Sequence, residues 1–532
     1  MKLSKALLVL ALVVAFAVPA YAETQNVKVS GSIDIYHIYR SNWDLRDNND
    51  AGAVPYPGID SKGFGDPFGS SVPGTNHSSS ALNRSEGDDY FMTVTQVEVS
   101  ADLTDNVSTV INLINQRDWN AGYDEFTTDP SSGEEFDVEL DLAYVQMKEI
   151  FYSPLTLTIG RQDLWFGRGL IVGSNWRAWD NQSYEKFSSG QIQADEYSAK
   201  TAFDAIRATL DFSPWTLDFV YSQIDENGHD PEDDINLYIV NVNYKFSEYN
   251  AVAELYYVGE TDRATFPDVD DTEDPFDTRN NDTHTIGGRV QFDPISQITL
   301  GGELAYQFGN YRSPIDDFPP IEEANNNLEQ DREAWLFNIF GTYRWDYEWK
   351  PELTLEYLHL SGEDNVFRGG ADSEYGGWNP MYRGKFYTAY ADFREFVYET
   401  GDPYDQDART NENIFQVKGS LRPLEDLLLE ASWTTIWTDE DIEAVDVTGG
   451  GVGTSLGSER DEHIGWEVDL GVTYDYTEDV SFSTLFSWFE PGDYYDGTQD
   501  PNLDPDDDEG DSENGQSEDG AFSVVSSVKV TF

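Results

Sequence analysis

Ala521-Phe522-Ser523-Val524-Val525-Ser526-Ser527-Val528-Lys529-Val530-Thr531-Phe532 closes the chain as a run of alternating character. Phe522, Val524, Val528, Val530 and Phe532 share one face, while Ser523, Ser527, Lys529 and Thr531 share the other. Successive side chains of a β-strand point to opposite sides, so this spacing predicts a strand with one apolar and one polar surface. Soluble sheets and membrane barrels both contain such strands, and the rest of the chain discriminates between them.

The alternation recurs in segments of about ten residues, the length a tilted strand needs to cross a bilayer. Eighteen are legible, at 26–39, 91–103, 107–117, 137–148, 154–162, 201–212, 214–225, 234–246, 250–260, 283–293, 297–309, 332–346, 351–361, 411–422, 427–438, 462–476, 480–490 and 520–532. Every second connection is a tight turn, as at Leu103-Thr104-Asp105-Asn106, Phe212-Ser213-Pro214, Ser247-Glu248-Tyr249-Asn250, Asp293-Pro294-Ile295-Ser296 and Thr477-Glu478-Asp479. The connections between them are long, polar and rich in Gly, Asp and Asn, notably 40–90, 163–200, 261–282, 310–331, 362–410, 439–461 and 491–519. Short turns on one side and long loops on the other mark a transmembrane barrel, with the turns periplasmic and the loops exterior. The expected fold is all-β: one antiparallel transmembrane β-barrel of about 18 strands with long acidic extracellular loops.

The opposite end agrees. Lys2 and Lys5 precede an apolar stretch from Ala6 to Val18, and Ala20-Tyr21-Ala22 has the small-x-small form of a cleavage site. Residues 1–22 therefore read as a signal peptide and 23–532 as the barrel. No later segment approaches the apolar length of a membrane-spanning helix, and only helices and closed barrels satisfy the backbone in hydrocarbon. The 532 residues contain no cysteine, which excludes disulfides, a lipid-anchored cysteine, thiolate metal sites and c-type haem attachment. The chain carries 32 Lys and Arg against 101 Asp and Glu, net −69, or −71 once the two leader lysines are removed. Such a balance excludes nucleic acid held through its phosphates. Aromatic residues at 14% argue against disorder. Trp215, Trp345, Trp349, Trp433, Trp437, Trp466, Tyr474, Tyr476 and Trp488 fall near strand ends, where an interfacial girdle lies.

Alternation also assigns the lumen. In the fourth segment Val138, Leu140 and Leu142 are expected to face lipid, with Glu139 and Asp141 inside. In the sixth, Ile206, Ala208 and Leu210 face out, with Arg207 and Thr209 inside. The same parity points Glu98, Glu254, Arg289, Glu303, Arg344, Glu356, Lys418, Glu430, Glu467, Asp469 and Lys529 inward. A charge on the lipid face costs about 2–4 kcal/mol for Arg or Lys at mid-bilayer, which is why parity carries weight here. The expected interior is polar and of mixed charge. Around 18 strands usually leave an aqueous channel. Opposed charges that merely fill and rigidify the interior, or exterior loops folded inward, are the competing readings.

No cofactor is expected. The run Asp504-Pro505-Asp506-Asp507-Asp508-Glu509-Gly510-Asp511 invites loop-bound calcium, with Asp506, Asp507, Asp508 and Glu509 as candidate weak divalent ligands. Its spacing does not match an EF-hand, and a solvated loop is the plainer reading. Six histidines are scattered without metal spacing, and there is no Gly-x-Ser-x-Gly elbow.

The closing strand ending on Phe532 resembles that of bacterial outer-membrane barrels, where the terminal aromatic strand is read by the barrel assembly machinery. A longer resemblance lies between 155 and 225. Gly160-Arg161-Gln162-Asp163-Leu164-Trp165-Phe166-Gly167 is followed by a loop containing Asn175-Trp176 and then by Phe203-Asp204-Ala205-Ile206-Arg207. This order resembles the alginate-export family of outer-membrane porins. The resemblance implies passage of a polar solute or polysaccharide across the bacterial outer membrane, with Arg161 and Arg207 as lumen or loop-anchoring arginines. Asp163 and Asp204 are their candidate partners, since a guanidinium fork suits carboxylates.

The expected function is thus an outer-membrane channel without enzymatic activity, in contact with membrane lipid and lipopolysaccharide. A scaffold barrel that sheathes a partner protein, a surface adhesin and an outer-membrane hydrolase remain as alternatives, and the oligomeric state is open. The acidic loops set a negative field at the mouth, which predicts cation preference at low ionic strength. A basic constriction inside would reverse that preference.

Overall fold

The computed structural model describes residues 26–41, 88–119, 138–175, 199–225, 234–262, 281–312, 329–363, 374–389, 411–440, 445–447, 454–456, 462–493 and 520–532. The expected signal peptide and the candidate divalent ligands Asp506, Asp507, Asp508 and Glu509 lie outside these residues.

Eighteen long strands form the wall: β1 (Asn26–Ser41), β2 (Asp88–Thr104), β3 (Val107–Asp118), β4 (Glu139–Met147), β5 (Leu155–Gln162), β6 (Phe203–Asp211), β7 (Trp215–Asp225), β8 (Ile235–Lys245) and β9 (Val252–Asp262). The second half continues with β10 (Asn281–Ile295), β11 (Ile298–Arg312), β12 (Glu329–Arg344), β13 (Glu352–Leu360), β14 (Glu412–Leu424), β15 (Leu427–Thr438), β16 (His463–Asp475), β17 (Val480–Pro491) and β18 (Ala521–Thr531). Each pairs antiparallel with its sequence neighbours, and β1 pairs with β18 from Ser32↔Thr531 to Ser41↔Phe522. The sheet is closed and has no free edge, as hydrocarbon requires. At the seam Gly31 and Phe532 exchange backbone hydrogen bonds of 2.9 and 3.0 Å. A Cβ on Gly31 would stand 2.8 Å from the Phe532 ring, so glycine leaves room for that ring.

Several strands run past the ends their apolar pattern marks. β2 begins at Asp88 and β11 ends at Arg312, because the hydrogen-bond ladder continues above the lipid, where outward residues no longer need to be apolar. Outward positions such as Val29, Ile111, Leu140, Ile206, Leu255, Leu304, Ile339, Leu355 and Leu470 are exposed apolar side chains, the surface a bilayer covers. Trp215, Trp345, Tyr474 and Tyr476 stand exposed at the turn side and Trp488 toward the loop side.

One inward–outward assignment is corrected. Asn112 pairs with Leu142 and Leu113 with Leu140, so Asp141 is an extra residue in β4. Such a bulge shifts the parity by one. Leu142 therefore shares the inner parity of Asn112, whereas Leu140 faces out as expected.

Candidate functional site: a lumen crossed by two inward segments

The inner-face charges meet as cross-strand neighbours. Glu254 pairs with Arg289, Arg289 with Glu303, and Glu303 with Asn338, giving a polar hoop over β9 to β12. Glu356 on β13, Gln416 on β14, Thr434 on β15 and Glu467 on β16 continue it through direct register pairs. Nearer the turns, Arg344 approaches Glu352 at 3.3 Å, Lys418 approaches Glu430 at 3.2 Å, and Lys529 approaches Asp34 at 3.5 Å.

Two loop segments enter the barrel and sit on the hoop. The first, 163–175, follows β5. Its entry explains the Gly-Arg-Gln motif: Gly160 has φ +121, and Gln162 is buried, donating to the carbonyls of Gly160 and Ala205 at 3.1 and 3.0 Å. Gly167 (φ +59) then aims two successive amides into the wall, its own N–H to Glu254 Oε1 at 3.0 Å and that of Arg168 to Glu303 Oε2 at 2.9 Å. Consecutive amides of this kind form a concavity for anions. A Cβ on Gly167 would collide with the Glu303 carboxylate, so glycine is required there.

Arg168 is the centre of the arrangement, and strand parity does not single it out. Its guanidinium donates to Asn338 Oδ1 at 2.7 Å and to Glu356 Oε2 at 3.1 Å, and lies 3.7 Å above the Phe340 ring centroid. The second segment, 374–389, brings Lys385 and Tyr387 to the same carboxylate: Lys385 pairs with Glu356 Oε1, and the Tyr387 hydroxyl donates to it at 2.8 Å. Desolvation lowers the Lys385 ammonium to about 8, with Arg168 and Arg383 adding to the effect and Glu356 opposing it. Burial, with Glu356 beside it, pushes the Tyr387 hydroxyl well above its ordinary value, so it remains a donor. Further along, the Ala389 N–H reaches Glu467 at 3.1 Å.

The two segments also pack on each other. Gly173 and Ser174 donate to the Tyr382 carbonyl, Tyr382 donates to Ile171, and Gly384 and Lys385 donate to Gly169. Leu164, Phe166, Leu170, Ile171, Trp378 and Tyr382 are buried against inner-wall residues including Leu237, Ile239, Leu336 and Ile414. The exterior part of the barrel interior is thus a packed core in which buried polar groups such as Gln307, Asn379 and Arg383 lie among the apolar ones.

The candidate residues divide as follows. Glu254, Glu303, Glu356 and Glu467 lie on the inner face and anchor the segments. Arg207, Arg289, Arg344, Lys418 and Glu430 lie on the inner face beside them or nearer the turns. Arg207 pairs with Asp218 at 2.8 Å, not with Asp163 or Asp204, and stands 5.4 Å from the Phe166 ring centroid. Asp141 accepts from Asn112 at 2.9 Å, and Glu139 pairs with Lys200 at 2.6 Å. Arg161 corrects the pore-lining reading: it pairs in register with Ala143 and Asp204 on the outward parity of Ile159 and Ile206. There it bonds Asp204 at 3.1 Å and the Asp141 carbonyl at 3.0 Å, stitching three strands at the rim. Among the described residues no group of acids and histidines could hold a metal.

A closed 18-strand barrel with long loops on one side and inward segments tied to a charged lumen defines a channel-type protein of the bacterial outer membrane. The alginate export family model matches residues 74–504, and the chain belongs to that family. In architecture it is similar to Pseudomonas aeruginosa OccK11 (OpdR), with 8% identity over 96% of each chain and a TM-score of 0.47. It is likewise similar to Acinetobacter baumannii OccAB1, with 13% identity, 96% of this chain and 99% of that one covered, and a TM-score of 0.47. The structure of P. aeruginosa OccK2 (OpdF) in complex with glucuronate matches at 9% identity over 96% and 98% of the two chains, TM-score 0.46. No curated protein matches the sequence.

Proposed function

We propose that this barrel passes carboxylate-bearing polar solutes, sugars or their polymers, along a lumen whose water-facing charge is basic. The observation that carries the reading is an asymmetry within the ion pairs. Arg207 is 30% exposed against 4% for Asp218, Arg289 25% against 5% for Glu254, and Lys529 51% against 9% for Asp34. In each the acid is packed into the wall and the cation meets the water. Lys200–Glu139 runs the other way, at 10% against 54%, and the pairs nearest the turns are balanced. A guanidinium whose partner is sequestered still presents donors to a passing carboxylate. The negative field of the exterior loops acts at the mouth and fades beyond a Debye length of about 8 Å, whereas the paired arginines act inside the conduit. The transport step is electrostatic selection and steric fit, with no covalent chemistry.

Reversal potentials across a potassium chloride gradient test this. The parent channel is expected to prefer chloride, and Arg207→Gln with Arg289→Gln is expected to lower the chloride-to-potassium permeability ratio by roughly threefold while the barrel still inserts. Glucuronate added to one side is expected to reduce chloride current in the parent more than in the double variant. Cation preference in the parent would defeat the reading and show that the acidic loops set the selectivity.

A further inference from the structure

Four inner-face glutamates, Glu254, Glu303, Glu356 and Glu467, are each buried, and each is covered by an inward segment. They stand on β9, β11, β13 and β16, so without the segments they form an acidic arc around the middle of the lumen. The cations that answer Glu356, Arg168 and Lys385, belong to the segments and would leave with them. The amides that answer Glu254, Glu303 and Glu467 would leave as well. Arg289 would remain on the wall beside Glu254 and Glu303. Undocking therefore does more than widen the pore. It exposes fixed negative charge and withdraws positive charge in one movement.

We propose that 163–175 and 374–389 form one removable cap, keyed by Glu356, whose docking sets the sign of the ion selectivity. Docked, the glutamates are hidden and the lumen presents Arg207 and Arg289. Released, the acidic arc meets water and the lumen favours cations. This rests on the basic-lumen reading above and adds a second state to it. Glu356 is the key because, among the described residues, it is the one of the four seen to bind both segments, through Arg168 on one side and Lys385 and Tyr387 on the other, while Asn338 holds it from the wall at 2.9 Å. The segments move together because five backbone hydrogen bonds join them, two of them onto the Gly169 carbonyl. Gly169 has φ +75, and a Cβ there would run into the Trp165 ring, so the junction depends on glycine.

Two full-length variants, recorded as reversal potentials in planar bilayers beside the parent, decide the matter. Glu356→Gln removes a negative charge from the wall, which by charge alone would strengthen anion preference. Loss of the key is expected to do the opposite, taking the chloride-to-potassium ratio from above one to below one with a rise in conductance. Gly169→Val changes no charge and lies outside the wall, and it is expected to shift the ratio the same way; it decides alone if the Glu356 variant does not insert. Adding Glu254→Gln, Glu303→Gln and Glu467→Gln to Gly169→Val is expected to return the ratio above one while conductance stays high. Parent-like selectivity and conductance in the inserted variants overturns the cap and leaves the basic-lumen reading standing. So does a ratio that stays below one after the three glutamates are neutralised, since the arc is then not its source. A parent that already prefers cations overturns both.

Discussion

The exterior and periplasmic halves of this lumen are built from the same strands, yet they solve opposite problems. Toward the loops, inner positions such as Leu237, Ile239, Val258, Leu336 and Leu358 are buried against the inward segments. Toward the turns, the same face carries Arg344–Glu352, Lys418–Glu430 and Arg422–Asp475, all substantially water-exposed. The difference teaches that inward does not mean wet. A residue's parity says which side of the wall it is on; what occupies that side depends on chain that is remote in sequence. Charges in the packed half are therefore structural anchors, costly to leave without their partners, while those in the wet half are screened and adjustable.

The sharpest way to break the comparison is to place an unpaired charge among the apolar side chains of the packed half. Ile171→Asp buries a carboxylate among apolar groups, at a cost of several kcal/mol unless the segment leaves its seat. The expected outcome is a barrel that inserts normally, shows several-fold higher single-channel conductance, and becomes cleavable by added protease within 163–175. An inserted variant with parent conductance and protection would mean that the exterior half is less tightly packed around Ile171 than its burial implies.

A smaller effect tests the boundary between the halves. The Lys385 ammonium, lowered to about 8, is charged below that pH and neutral above it. Raising the pH from 7 to 9 therefore withdraws one positive charge from the cluster around Glu356, and the preference for chloride is expected to decline over that interval. Lys385→Met should show the lower preference at both values and no step between them. A step of the same size in the methionine variant would assign the titration elsewhere.

The smallest expected effect belongs to Arg161. On the outward rim its pair with Asp204 is largely solvent-exposed on the acid side, and such pairs contribute about 0.2–1 kcal/mol. Arg161→Ala should lower the thermal midpoint of the barrel slightly and leave conductance and selectivity unchanged. A change in selectivity comparable to that of the Arg207 variant would put Arg161 back in the pore.

Much of this was legible in the residues. Strands with one lipid face must alternate, so all eighteen could be placed, and lumen positions such as Glu254, Arg289 and Glu303 followed from the apolar residues on either side of them. The bulge at Asp141 was not legible, because one inserted residue leaves the composition of a strand untouched and shows only in register. Arg161 was half legible: the motif around it left lumen and loop anchor both open, whereas Leu155, Leu157 and Ile159, which share its parity, already pointed outward. Arg168 and Lys385 lie in loops, where no period assigns a face. Their neighbours held a signal nonetheless. Leu164, Phe166, Leu170, Ile171 and Val172 are too apolar for a loop in water, and the exterior ends of β8 and β12 lose their alternation, as strands buried on both faces do.

The cap also has a mechanical role. A hollow ring of strands resists stretching along its hydrogen bonds but bends easily out of round. Gly167 and Arg168 join β9 and β11 to β12 and β13, and the neighbouring segment carries the connection to Glu467 on β16. Together they act as a strut along a chord, so the exterior ring holds a fixed outline. Among the described residues, the side-chain pairs at the periplasmic end reach an adjacent strand or, in Arg422–Asp475, the next one along, and none spans the bore, which leaves that mouth without such a strut.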